Sequence, residues 1–527
     1  MGIVERARRH PFLLLGGLAL FVAVAGLQFL QFNDSAIMGH GPMGPIPSHS
    51  AEQTVAAFVG RPAVPKPLPP KDVPPHPFLS EYGAAHIDSY NSDVTDWPGP
   101  LGRDPEVISR SMGRHLGLCT IRAFHPQGHL SSICYYVKDG PNLGGVTVGI
   151  DLALFDPSDI RVLDLYEAGS FTIDLFRFIK GETVNLSGSY FFVDQLGRAV
   201  NAGAGNRIQI VEPRLIDGLP QWRLAESLDL GGLVPTEAGN LIAVMPDFHG
   251  HQWFITTHGL VGRVDGNTGD LRTTRLEGET FENAMAIAPD GIYVASDHAL
   301  YRFEAHPDTG VPRHTWRRTY PRATVKKPGM LSWGTGVTPT LLGKELVAIT
   351  DNGDDRVNLL VYDRQDGERV CSVPLFELGA GVVEVSPIGY SDESGRFNAL
   401  VVQSNYGAPS FRGDYGDLGR WLTRIDVLSD PTGCVEVWTN HEVPSTGVPK
   451  LSTATGLIYT FTQRFDEPVE KAWYLAALDF ETGETVYMVS LGTGAERHNS
   501  YGTVDLGPDG TAYQGLLTGM VSIRDRE

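Results

Sequence analysis

Basic side chains are scarce in this chain: 42 Lys and Arg stand against 62 Asp and Glu, a formal net charge of −20. Phosphate binding needs a basic face, so this balance argues against a nucleic-acid partner. Cysteine is scarcer still. The four, Cys119, Cys134, Cys371 and Cys434, include no neighbouring pair and match no zinc or haem spacing. They suit an oxidising compartment, where disulfides persist. Cys119 and Cys134 lie close enough in sequence to staple a hairpin. Cys371 and Cys434 fall in corresponding strands of successive repeats and read as buried small hydrophobes. Nothing between the repeats looks like a crossover helix, which argues against a parallel α/β fold. The Gly-rich stretches "NLGGVTVG" and "GTGVTPTLLG" lead into no helix, so neither is a phosphate loop.

Long apolar runs are missing except for one. "MGIVERARRHPFLLLGGLALFVAVAGLQFLQFND" sets Arg6, Arg8 and Arg9 ahead of an uncharged run from Pro11 to Phe32. About 20 apolar residues span a bilayer, and the basic flank stays in the cytoplasm. A cleaved signal peptide competes, with Ala23-Val24-Ala25 as its cleavage site. The run continues past that site, which favours an uncleaved anchor over 1–32. The expectation is a single-pass protein of the cytoplasmic membrane with its bulk outside the cytoplasm, in the periplasm if the cell is Gram-negative. Residues 33–80 are dense in proline, as in "RPAVPKPLPPKDVPPHPF", and read as an extended tether. Residues 81–118 read as a polar lead-in that packs on the domain.

From about residue 119 to 527 the chain repeats. Alternating strands flank acidic, glycine-ended turns in "LVGRVDGNTGDLRTTRL", "ALYRFEAHPDTGVPRHTW", "LLVYDRQDGERVCSVPL", "LTRIDVLSDPTGCVEVW" and "LAALDFETGETVYMVSL". The turns end at Gly269, Gly310, Gly367, Gly433 and Gly483. Glycine takes the positive φ that a tight hairpin needs, and Asp or Asn caps the turn. Periods near 40–50 residues with four strands each define an all-β, closed β-propeller. Seven or eight four-stranded blades are expected, eight being favoured. The C-terminal "YGTVDLGPDGTAYQGLLTGMVSIRDRE" supplies three strands and stops. An open edge invites aggregation. A strand from the domain's start, near "CTIRAFHP" (119–126), is expected to complete the last blade.

The stretch "ENAMAIAPDGIYVASDHALYRFEAHPDTG" resembles blades of the gluconolactonase and strictosidine-synthase group, and "LDFETGETVYMVSL" resembles repeats of the pyrroloquinoline-quinone propellers and their non-enzymatic relatives. Both resemblances are at the level of the fold. In the gluconolactonase group the Asn opening such a strand lines the central channel and binds a divalent metal, and Asn283 takes that place here. Quinone binding is disfavoured, because the adjacent-cysteine pair of the quinone dehydrogenases is absent and their blade tryptophan is matched at most by Trp316 or Trp438.

In a propeller, the loops joining one blade to the next share a face with the loops joining second and third strands. On that face the sequence places Asn283, Asp351 and Glu384 as candidate ligands of Ca²⁺ or another divalent metal, hard oxygen donors being what Ca²⁺ prefers. It also places Asp297, Asn352, His258, His298, Asn405 and Tyr406 there, the last four as candidate cofactor- or ligand-binding residues. The competing reading of each is a turn cap. Glu282 alternates to the other side of its strand and is expected to support the loop. His251 and His258 cannot share a metal, because seven strand residues put them about 23 Å apart. His249 and His251 read as a solvated turn. Two functions follow: a metal-dependent lactone or ester hydrolase acting at the channel, or a binding or assembly propeller for a protein or carbohydrate. A quinoprotein dehydrogenase stands third. The partner at the channel face is a small molecule or a protein.

Overall fold

Alternation with period two gives a strand two apolar faces when both neighbours are other sheets. The repeat at 286–319 shows the result. Ile287, Ile292, Val294, Tyr301 and Phe303 pack into one core with the preceding repeat, while Ala286, Tyr293, Ala295 and Leu300 pack into another with the following one. The computed structural model describes residues 55–526 apart from 114–116, 143–144, 174–189, 204, 267, 408–418, 420, 431 and 465–471. Its strands form eight sheets, each built on four antiparallel strands, and the only helices among the described residues are two short 3-10 turns. Blades 1 to 7 span 118–173, 191–229, 241–275, 286–319, 340–375, 388–440 and 450–493. Blade 8 takes three strands from 504–525 and a fourth from the N-terminal side. The apolar run at 11–32 lies outside the described residues. Among those described, no helix is long and apolar enough to cross a membrane.

The ring is closed by Pro105–Ser111, which pairs antiparallel with Gly519–Asp525 as the outermost strand of blade 8. This corrects the expectation that 119–126 would do so. Leu118–Phe124 is instead the innermost strand of blade 1. The outer position needs only one strand edge, and 105–111 reaches it first along the chain. At the inner radius the joint is ionic: Arg122 Nε of blade 1 lies 2.8 Å from Asp505 Oδ2 of blade 8, with the guanidinium fully buried.

Two tryptophans lock neighbouring blades. The Trp316 indole N–H donates to the Arg364 carbonyl at 3.0 Å, and Trp438 does the same to Phe480. Each ring lies over the glycine that ends the acceptor's turn. A Cβ on Gly367 or Gly483 would stand 2.8 Å or 2.4 Å from the ring, and both have left-handed φ. Cys371 and Cys434 are not lone hydrophobes: they form a disulfide between the outermost strands of blades 5 and 6, across 63 residues. Cys119 and Cys134 staple the first two strands of blade 1, where they stand in register.

Residues from Phe58 to Asp96, read from sequence as tether and lead-in, lie against the propeller. Phe58–Gly60 adds to the outer edge of blade 7, and Leu79–Ala84 pairs with the innermost strand of blade 2. The next residues run around the channel's inner wall. The carbonyls of Ser89, Tyr90, Ser92 and Asp93 accept N–H groups from Ile287, Leu341, Gly389 and Leu451, on the innermost strands of blades 4, 5, 6 and 7 in order. Following that curve puts Tyr82, Ile87, Asn91 and Asp93 at left-handed φ, a cost of about 1–2 kcal/mol each for a non-glycine residue. The donated N–H groups and a buried ion pair offset it: Asp93 contacts Lys450 Nζ and sits 2.9 Å from His86 Nδ1, with Asp93 and Lys450 fully buried. Asn91 Nδ2 also reaches the Met285 and Pro339 carbonyls, just ahead of the innermost strands of blades 4 and 5. The loops entering blades 4, 5 and 6 carry the candidate site.

Candidate functional site at the channel mouth

The connection from blade 4 to blade 5 runs over 320–339, "YPRATVKKPGMLSWGTGVTP". Connections of this length without regular structure are uncommon and usually functional. Proline and glycine keep it from pairing, so side chains and neighbouring loops hold it. Lys327 Nζ donates to the Gly353 carbonyl at 2.8 Å, Gly407 N–H to Pro328 at 2.9 Å, and Tyr501 Oη to Gly329 at 2.7 Å. Ser500 and Tyr501 both have left-handed φ. That double turn directs the phenol from the blade 7–8 connection onto the loop.

Beneath the loop lie two carboxyl groups. Glu384, on the connection into blade 6, accepts at Oε1 from Leu331 N–H (2.9 Å), Ser332 N–H (3.2 Å) and Asn352 Nδ2 (3.2 Å). Its own N–H donates to Asn405 Oδ1 at 2.8 Å. Burial pushes Glu384 up to about 7, although the Leu331 and Ser332 N–H groups favour its charged form. Glu282, on the connection into blade 4, is pushed up to about 8 by burial first, then by the charges of Glu384 and Asp297. Ser332 and Lys326 lie near both carboxyls, each favouring ionisation. Burial holds the Lys326 ammonium below its ordinary value against the pull of the two glutamates. Two carboxyls coupled in this way titrate as a pair. Glu282 Oε2 and Asn405 Nδ2 are buried with no hydrogen-bond partner among the described residues, and such groups carry an uncompensated desolvation cost.

The expectation that Glu282 merely supports its loop is therefore corrected: its carboxyl joins the site. Strand alternation does not extend to it, because the strand begins only at Ala286. Asn283 donates from Nδ2 to the Thr335 carbonyl at 3.4 Å. A Cβ on the next residue, Gly336, would stand 2.5 Å from Glu384 Oε2, so Asn283 and Glu384 flank the same two-residue stretch. Asp351 turns away. Its Oδ1 accepts from Asn358 N–H at 2.8 Å and its Oδ2 from Asn358 Nδ2 at 2.9 Å, capping its own turn. The neighbouring Asn352 is the residue that reaches Glu384. Tyr406 packs with Trp333 against Ala323, Met330 and Val382 under the loop. His298 lies on the rim, its Nδ1 2.9 Å from Asp297 Oδ1, and Arg322 pairs with the same aspartate at 3.2 Å. His258 is exposed, its Nδ1 3.2 Å from the Glu237 carbonyl on the connection between blades 2 and 3.

Ca²⁺ takes six to eight oxygen ligands. Here Glu384 Oε1 and both Asp351 oxygens accept N–H groups, and no three His, Cys, Asp or Glu among the described residues converge as metal donors. Ser332 and Lys326 were missed from sequence, and the signal that could have found them was the length of their loop.

This is an eight-bladed propeller with a segment of its own chain lining the innermost strands of blades 4 to 7 and a carboxyl pair under its inter-blade loops. No protein-family model matches the chain. An uncharacterized protein of Archaeoglobus fulgidus is 23% identical over 397 residues, which cover 65% of this chain and 71% of its own length. Among solved structures, the quinohemoprotein alcohol dehydrogenase of Comamonas testosteroni superposes with a TM-score of 0.50 at 11% identity, covering 86% of this chain and 82% of its own. BamB from Moraxella catarrhalis gives 0.44 at 13% identity, covering 80% and 97%. These likenesses are of fold alone.

Proposed function

We propose that the protein is a membrane-anchored, extracytoplasmic propeller that hydrolyses a lactone or ester at its channel mouth, with Glu282 and Glu384 as an acid–base pair. The observation carrying this reading is that Glu384, held at Oε1 by the Leu331 and Ser332 N–H groups, and Glu282, with Oε2 buried and unpartnered, lie under one loop and are both raised towards neutrality. Efficient proton transfer needs groups poised near the working pH. Glu384, with backbone N–H groups favouring its charge, is the base. It takes a proton from water as the water oxygen bonds to the carbonyl carbon. Glu282, the more raised, is the acid, and gives its proton to the leaving oxygen as the carbon–oxygen bond breaks. The products are a carboxylic acid and an alcohol, and the pair resets by passing one proton from Glu384 to Glu282. Lys326 stands where it can steady negative charge on the carbonyl oxygen. The apolar run at 11–32 with its basic flank supports the anchor, and the two disulfides support an oxidising compartment.

Turnover of a panel of lactones and esters by wild type, E282Q and E384Q tests this. Each substitution is expected to lower kcat/KM by at least about a hundredfold. Equal rates in all three would overturn it. A protein-binding role is the second reading, favoured by Leu215, Leu219 and Leu224 on the outer strands of blade 2, which are 75%, 57% and 50% exposed. Apolar residues grouped on a surface mark interaction sites.

A further inference from the structure

The loop over the carboxyl pair and the connection from blade 5 to blade 6 expose apolar side chains where polar ones would be expected. Val325 is 63% exposed, Leu331 43% and Leu378 74%. Hydrogen bonds bring them together. Val325 and Thr324 N–H both donate to Asp354 Oδ1, at 3.2 and 2.8 Å, while Gly379 N–H, beside Leu378, donates to the carbonyl of the adjacent Asp355 at 2.9 Å. Lys326 Nζ donates to the Leu331 carbonyl at 2.6 Å and folds the loop so that Leu331 returns towards Val325. Half-buried aromatics back this shelf. Trp333 lies 4.9 Å from Lys326 Nζ, and Phe376 packs on Trp421 at 5.9 Å between centroids. Phe376 is held at left-handed φ. The shelf is continuous with the carboxyl pair, because Leu331 presents its side chain to solvent and its N–H to Glu384.

We propose that the mouth takes an amphipathic substrate, a lactone or ester whose alkyl chain lies along Val325, Leu331 and Leu378 while its carbonyl reaches Glu282 and Glu384. The inference rests on the hydrolase reading. A purely polar substrate would leave this shelf in water, whereas an alkyl chain removes both apolar surfaces from solvent.

The test compares γ-butyrolactone with γ-dodecalactone, using the full chain and its V325S/L331S/L378S variant. Wild type is expected to favour the long-chain lactone in kcat/KM by at least about tenfold. The variant should lose that preference. Equal preference in the two proteins would overturn the shelf and leave the acid–base pair standing. If wild type hydrolyses neither lactone, the hydrolase reading fails, and the shelf is tested by quenching of Trp333 and Trp421 fluorescence on adding γ-dodecalactone. Quenching in wild type that the triple variant loses would support the shelf, and no quenching would overturn it. A wild-type dimer that the triple variant dissociates would assign the shelf to a second copy and also overturn the proposal.

Discussion

Glu282 and Glu384 come from the loops ahead of blades 4 and 6, and the charge of Glu384 helps to raise Glu282. Both sit above the ordinary carboxyl value of 4.5. Between about pH 4.5 and 8 the folded protein therefore holds protons that the unfolded chain has released, and stability falls as pH rises through that window. Their destabilising contribution is absent below about 4.5 and complete above about 8. E282Q removes one of the two charges. It should be more stable than wild type by roughly 1–2 kcal/mol at pH 8 and equal to it at pH 4.5, by denaturant titration. A larger gap at pH 4.5 than at pH 8 would have the sign wrong.

Ring closure depends on Pro105–Ser111 and not on the residues near 119. Deleting 105–111 leaves the outer edge of blade 8 unpaired and breaks the strand pairing between the N-terminal side of the chain and that blade. We expect a loss above about 4 kcal/mol in thermal or denaturant unfolding, or no cooperative transition at all. An unchanged midpoint would remove closure from the account.

Lys450 and Asp93 hold the belt against the innermost strand of blade 7. K450M leaves the Asp93 carboxylate buried with only His86 beside it, and breaking such a pair costs about 3–5 kcal/mol. Limited proteolysis should then cut within 79–96, which the wild type protects. Protection equal to wild type would mean that the carbonyl ladder of Ser89, Tyr90, Ser92 and Asp93 suffices alone.

The disulfide between Cys371 and Cys434 closes a loop of 63 residues. Chain-entropy reasoning puts its stabilisation at about 4 kcal/mol as an upper value. The C371S/C434S variant should lower the unfolding midpoint accordingly, and reduction should lower wild type by that amount plus the loss of the Cys119–Cys134 bond, and the variant only by the latter.

Much of the fold was legible because each blade is a local object. The Asp-to-Gly turns and period-two alternation of 282–310 correspond to strands Ala286–Ala288, Gly291–Ala295 and Ala299–Ala305, with Pro312–Thr319 following. What failed to show was long-range. The strand that closes the ring and the segment that lines the channel lack an alternating core pattern, because their partners are edges and carbonyls supplied by distant residues. Cys371 and Cys434 looked independent for the same reason, since neither repeat reveals that it packs beside the other. At the site, Glu384 and Asn405 were legible from their place at strand ends. Glu282 was not, because it precedes the strand whose alternation was extended to it.

The most direct test of the acid–base pair is an infrared pH titration of the protonated-carboxyl C=O band in wild type, E282Q and E384Q. Wild type should retain a protonated carboxyl well above pH 6 and lose it in steps near 7 and 8. In either variant the remaining carboxyl loses its like-charged neighbour, so the high-pH signal should shift downward or vanish. A wild-type spectrum with no protonated carboxyl above about pH 6, or a signal unchanged by both substitutions, would contradict the acid–base pair.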